Sequence, residues 1–529
     1  MSLSTATSVL SLRRAGSRAL RLGAPLLCAA LSACGGFGFD GGQPGQPGQP
    51  VVVGWGGGPV PVPGLPPAPG PSCAAPAALD AGRSLLVTDH AVLQDPAAGF
   101  TLSRVLGQIA AQSQEAGLDA GGLFARLWQT QLVGEGGCAK ESALSGGPGL
   151  NGFPLQCGRA EGQQAYNAAG YLAAYRPVAL SNRFDLAPRD GSSCGEYRIT
   201  FAKDPGYGPG RNFLIFEAVL PNPAPGCGLA ACRPVAEFWA QLSQIEDPAE
   251  RAARLSRFYF QGLPGFRPVV HAEHYGGRGA RSGQVRTNQF MEGPWTLREL
   301  HLTATCGAGC ALGVEAVPVG ATPYPGLWDS SQGGAYAARA QELQGAVVAQ
   351  AGALAAADLG SLGLALPAGS LAAESRVPDQ DEALQAFTRG GRLGGSLYDR
   401  LRLALAGSGL TPEHVLRRAE TQTCAGCHQY NNGGAAAQLG GGLVWRPSLG
   451  FVHVSEQASE RGPDGPRYAI SPALREVFLP QRQNILATYL ASCAGCGGGG
   501  GYGQGVGQRQ GALQEQALSP LLNPSGSAH

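Results

Sequence analysis

The sequence predicts an α+β protein: a disulfide-containing domain of mixed sheet and helix, then a smaller all-α domain, between Gly/Pro-rich ends that do not fold. Three observations carry this. Several stretches between residues 150 and 325 show strand period, whereas helical spacing dominates before and after them. The 529 residues are too many for one ordinary core. Charged residues reach only 14%, against about 25% in typical soluble chains, while 83 glycines and 40 prolines point to long loops and linkers.

The chain opens with Arg13, Arg14, Arg18 and Arg21, no acidic residue, and an apolar run from Leu22 to Leu31. This reads as a secretory signal over residues 1–33 rather than a membrane span. Leu31-Ser32-Ala33-Cys34-Gly35 follows and resembles the lipobox of bacterial lipoproteins, which implies lipidation of Cys34 and a membrane anchor in the cell envelope. No other run of 18 apolar residues is present. Removing the signal leaves 34 basic against 37 acidic residues, a balance that argues against nucleic acid as a partner.

Residues 34–72, with their GQP repeat, read as a tether that buries too little apolar surface to fold. The α+β domain spans 79–330. It starts with helices over Phe100–Ala116 and Leu123–Leu132, set by Leu102, Val105, Leu106 and Ile109, then Phe124, Leu127 and Trp128. In "GEYRITFAK", Tyr197, Ile199 and Phe201 alternate with Glu196, Arg198 and Thr200, the period of a half-buried strand. "RNFLIFEAVLP" is a continuous apolar run that suits a central strand. "FRPVVHAEHY", "GQVRTNQF" and "WTLRELHLTA" add strands, and Pro234–Phe260 reads as helix broken near Asp247-Pro248. A helical connector covers 334–407, Thr411-Pro412-Glu413 opens a helix through Arg418, and Pro472–Ala491 closes the fold with a break at Pro480. Residues 497–529 read as a disordered tail.

Besides Cys28 in the signal and Cys34, twelve cysteines remain, an even set that implies disulfides in an exported chain. Cys227 with Cys232 and Cys306 with Cys310 close short loops and are the local pairs expected. Cys424 and Cys427 stand apart, because His428 follows the second directly in "TCAGCHQY". Two thiols three apart can each add to a haem vinyl group, leaving the adjacent histidine under the iron. Two other readings stay open. One is zinc, since Cys493-Ala494-Gly495-Cys496 repeats the spacing. The other is a disulfide beside an unrelated histidine. If the motif holds haem, Cys493 and Cys496 are expected to bridge each other.

A helix running into Cys-X-X-Cys-His, a loop-rich middle and a closing helix together resemble the small c-type cytochrome domain, over roughly 408–496. The resemblance implies one covalent haem c, with thioethers at Cys424 and Cys427 and His428 as proximal ligand. A methionine ligand inside this stretch is excluded, since the chain has only Met1 and Met291. For the sixth position His453, His414, a ligand from another domain and an open site remain. On a continuous helix His414 would lie about 21 Å from His428, too far to share one iron, so His453 is the residue chosen.

The leading expectation is an exported, lipid-anchored monohaem cytochrome that passes single electrons to a redox partner protein. Its competitors are a non-redox, disulfide-rich surface lipoprotein that binds a glycan or protein, and a haem enzyme with an open iron. "SNRFDLAPRDGSSCGEYRITFAK" resembles uncharacterised bacterial surface lipoproteins, which implies no activity. His271, Glu273 and His274 lack the His-Glu-X-X-His spacing of a metalloprotease and read as structural, as do Glu299 and His301.

Overall fold

Alternation along the strands decides where the rest of the chain sits. The computed structural model describes residues 78–134, 138, 141–207, 210–276, 283–306, 310–377, 386–388, 396–492 and 496. The signal, Cys34, the tether, Cys73, Cys493 and the tail lie outside the described residues. Strands β1 (Leu86–Val87), β2 (Tyr175–Arg183), β3 (Ser193–Lys203), β4 (Asn212–Pro221), β5 (Gln284–Gln289) and β6 (Thr296–Cys306) pair in that order, all antiparallel. The remaining edge of β6 is shared by β7 (Cys310–Val317) and β8 (Ser375–Arg376).

One face of this sheet carries Tyr197, Ile199, Phe201, Leu214, Phe216 and Val285, all buried. The helices α1 (Leu102–Gln112), α2 (Ala120–Gln129), α3 (Arg233–Leu242) and α4 (Pro248–Phe260) contribute to the same core. The Tyr197 ring lies 5.9 Å from that of Trp239 and 5.2 Å from that of Phe258. The break at Asp247-Pro248 is the start of α4, where the Asp247 side chain accepts from Ala249 N–H and proline takes the first turn at no hydrogen-bond cost.

The other face carries the intervening residues: Ser181, Arg183, Glu196, Arg198, Thr200, Ile215, Glu217, Arg286 and Asn288. The alternation in β3 suggests that these polar residues meet solvent. Most do not: Glu217 is fully buried and Arg286 is 4% exposed, while Arg198 and Thr200 of β3 are half-buried. The C-terminal segment covers this face, so the strand is covered on both sides.

That segment corrects the all-helical expectation for 408–496. After α5 (Ala337–Ala349), α6 (Leu397–Ala404) and α7 (Pro412–Glu420) come two hairpins, β9 (Gln438–Gly440) with β10 (Leu443–Val444) and β11 (Val454–Gly462) with β12 (Gly465–Ile470). The closing helix α8 (Leu479–Ala491) takes Pro480 in its first turn. Val452, Tyr468, Ile470, Leu474, Ile485, Leu486 and Tyr489 belong to the main core, with the Tyr489 ring 4.5 Å from that of Phe184. The stretch therefore packs as part of the sheet's own core. A second correction concerns "FRPVVHAEHY", where Ala272–Tyr275 form a 3-10 turn instead of a strand.

The described disulfides are Cys138–Cys157, Cys194–Cys232, Cys227–Cys496 and Cys306–Cys310. The last was expected. The Cys227–Cys232 pair was expected too and is not formed. Cys232, at the start of α3, turns into the core toward Cys194 of β3, while Cys227 reaches the C-terminal end. Cys496 is thereby used, so it bridges neither Cys493 nor a metal.

Candidate functional site

The helix α7 delivers the cysteine motif. Thr411 caps it, accepting from His414 N–H at 3.3 Å, and His414 Nδ1 accepts from Thr411 N–H at 3.2 Å. His414 is thus spent on the helix start, and its ring lies against Gly440, where a Cβ would overlap it. Beyond α7 the chain tightens so closely that a Cβ on Gly426 would overlap the Glu420 carbonyl oxygen. Only glycine fits at position 426 without movement of that backbone.

Upstream elements hold the motif from the other side. Cys424 N–H donates to Thr322 Oγ1 at 3.3 Å, and Ala425 N–H donates to Ser375 Oγ of β8 at 3.1 Å. Cys424 and Cys427 are the free cysteines among the described residues, and both are buried. Burial pushes the Cys424 thiol up to about 11 and Cys427 higher still, so both are S–H groups at neutral pH. Among the described residues no group of three or more His, Cys, Asp or Glu is arranged to hold a metal ion.

His428 lies beside them with its ring 5.7 Å from that of Trp295. Its Nδ1 is 2.8 Å from the Phe451 carbonyl oxygen. A carbonyl can only accept, so Nδ1 carries the proton. Burial holds the ring's pKa down to about 4, leaving a neutral imidazole whose Nε2 keeps its lone pair. Phe451 adopts φ 66°, a left-handed conformation rare for an aromatic residue. Its carbonyl also accepts from Asn288 Nδ2 at 3.1 Å, and its ring lies among Phe290 and Trp295. Orientation of a ligating histidine by such a carbonyl is a common outer-shell arrangement.

His453 reaches the same place from the start of the second hairpin. Its Nε2 is 3.1 Å from Cys427 Sγ and its Nδ1 is 2.8 Å from Ser471 Oγ. Its ring centroid is 4.6 Å from that of His428, at 60°. With Cys427 protonated, the thiol donates to Nε2 and Nδ1–H donates to Ser471.

These four side chains help to line a cavity with about 820 Å³ of unfilled space, part of it continuous with solvent. Arg183, Arg198 and Arg286 from the polar face of the sheet and Arg482 from α8 line the same cavity. Comparison with protein-family models, curated proteins and solved structures finds no match. The site is therefore read from its own chemistry.

Sequence reading brings together Cys424, Cys427, His428 and His453, and all four are among the residues that line one cavity. It misses the arginines. Their signal is present in "SNRF", "YRIT" and "VRTN", where each arginine sits on the polar side of a strand, but which face those positions share depends on strand register. Arg198 lies opposite Ser181 and Glu217, and Arg286 lies opposite Ile215 and Glu299. Met291 is not among the residues that line the cavity.

Proposed function

We propose that the chain is an exported, lipid-anchored monohaem c protein that carries single electrons to a partner protein in the cell envelope. The observation that supports it is one pair of thiols, buried and unbridged among otherwise bridged described cysteines, lining a cavity beside a neutral histidine with a free Nε2. The residues fit a haem. The cavity lining combines two thiols, two imidazoles and four guanidinium groups, and buried N–H groups of Arg183 and Arg198 have no acceptor in the chain. Cys424 and Cys427 would hold the group by adding S–H across its vinyl groups, sulfur to one carbon and hydrogen to the other, with no oxidant needed, and the bound iron would supply a one-electron couple.

The chain's own work is positional. Thr322 and Ser375 fix the motif backbone, and Phe451 turns His428 so that Nε2 faces away from its hydrogen-bonded edge. Burial of the site favours neutral ligands. His453, whose ring centroid is 4.6 Å from that of His428 and whose Nε2 is 3.1 Å from Cys427 Sγ, is the second histidine proposed to hold the iron.

Protein matured with haem-attachment machinery is expected to give a covalent pyridine haemochrome that disappears with Cys424→Ser plus Cys427→Ser. No haemochrome in the parent, or its persistence in the double variant, sinks the proposal. His453→Ala is expected to change the low-spin spectrum, and an unchanged spectrum removes His453 as ligand.

A further inference from the structure

The sheet side of the cavity has a chemistry that thioether attachment does not use. Four guanidinium groups line it, those of Arg183, Arg198, Arg286 and Arg482, and no carboxylate does. The acids that accompany them stand outside the cavity lining. Arg183 pairs with Asp185 at 2.9 Å, Arg198 with Glu196 and with Glu217 at 3.1 Å, and Arg286 with Glu217 at 3.1 Å and Glu299 at 2.8 Å. These side chains are almost entirely buried, with Arg183 at 3% and Arg286 at 5% exposure.

The pairing is incomplete in a specific way. Arg183 gives Nε and Nη2 to Asp185, and its Nη1 is buried with no hydrogen-bond partner. The Nη2 of Arg198 is in the same position. A buried N–H of a charged group without an acceptor is costly, and guanidinium geometry matches a carboxylate's two oxygens. Both arginines line the cavity, so an acceptor that satisfies these atoms can come from a ligand within it.

We infer that this arginine wall is a carboxylate-binding site for the propionate groups of a porphyrin. The inference rests on the haem reading above and extends it, because the site belongs to the sheet and to α8 rather than to the cysteine motif. A free dicarboxylate would offer the same groups. The porphyrin is the source argued because the thiols and the arginines line one cavity.

The test uses the full chain produced without attachment machinery, titrated with ferric haemin and with haemin dimethyl ester, followed by Soret absorbance. The two probes differ only in the carboxylates. Haemin is expected to bind at least ten-fold more tightly than the ester, and the advantage is expected to shrink to within about three-fold in Arg183→Gln and in Arg198→Gln. Equal affinities in the parent, no binding of either probe, or an advantage unchanged in both variants overturns the inference. The parent comparison requires no substitution, so a variant that fails to fold leaves it decisive. If maturation yields no covalent haem but the parent still prefers haemin, the covalent reading falls and the arginine site stands. If covalent haem forms and the ester binds equally, only the arginine site falls.

Discussion

The two faces of the central sheet are built from neighbouring residues of the same strands, yet they are held by opposite physics. On one, Tyr197, Ile199 and Phe201 meet Trp239 and Phe258, and burial of apolar area does the work. On the other, Arg198, Arg286, Glu217 and Glu299 are removed from water in a connected set of ion pairs. Desolvation of such charges offsets most of their attraction, so well-packed apolar residues would serve stability as well or better. The charged face is the one on which the carboxylate site is proposed, and Cys424, Cys427 and His428 line the same cavity.

The comparison is sharpened first by truncating the apolar face. Trp239→Ala removes a fully buried indole from between Tyr197 and Phe258 and is expected to cost about 3–5 kcal/mol in urea denaturation. If the proposed haem is attached, its content per folded molecule is expected not to change, and a loss would mean that the two faces are coupled through the sheet.

On the charged face, Glu217→Leu deletes the acid shared by Arg198 and Arg286 while each keeps one other partner, Glu196 and Glu299. Breaking a buried pair by removing one member typically costs about 3–5 kcal/mol, and the retained partners put this case near about 3 kcal/mol. An unchanged denaturation midpoint would show that water reaches these guanidiniums and that the face is not dry.

Much of the apolar face is legible in the sequence. The spacing of Val105, Leu106 and Ile109, the Thr-Pro start of α7 and the alternation in "GEYRITFAK" each follow from local rules, and their helices and strands form where those rules put them. The charged face is not legible in the same way. Alternation says that Glu196, Arg198 and Thr200 share a side, but only tertiary packing says that the side is covered by residues over 200 positions later. The Cys227–Cys496 bridge escapes prediction for the same reason, since its 269-residue separation leaves no local signature. The hairpins between Gln438 and Ile470 are short and polar on their outer sides, so their period is lost among turns.

One ionisable group sits against the apolar core and gives a pH signature there. His274 is buried in the turn beside Tyr275, donates Nδ1–H to the Val269 carbonyl at 3.1 Å, and has no partner for Nε2. Desolvation, followed by the nearby His271, holds its pKa down to about 3. The unfolded chain, at about 6.5, then binds the proton first, so stability is full above about pH 6.5 and falls as pH drops toward about 3. At about 1.4 kcal/mol per unit, the loss between pH 6.5 and 5 is about 2 kcal/mol. Denaturation of the parent and of His274→Gln at both pH values checks this, and an equal slope in the two proteins would assign the effect to other groups.

The smallest effect uses the same residue types as the charged face in the opposite setting. Arg254 and Glu250 pair at 2.7 Å on the outside of α4, one turn apart, and both side chains are about half exposed. Water screens their attraction in the unfolded and folded chain alike, so Arg254→Ala is expected to cost about 0.3–0.5 kcal/mol at low salt and less at high salt. The Glu217 substitution, by contrast, is expected to keep most of its effect in salt, because no counterion replaces a partner inside the sheet's cover. If both substitutions respond to salt alike, the arginines of the cavity are solvated ion pairs and lose their claim to a buried carboxylate ligand. A salt-insensitive cost at Glu217 beside a salt-sensitive one at Arg254 ties the difference to burial rather than to the residues themselves.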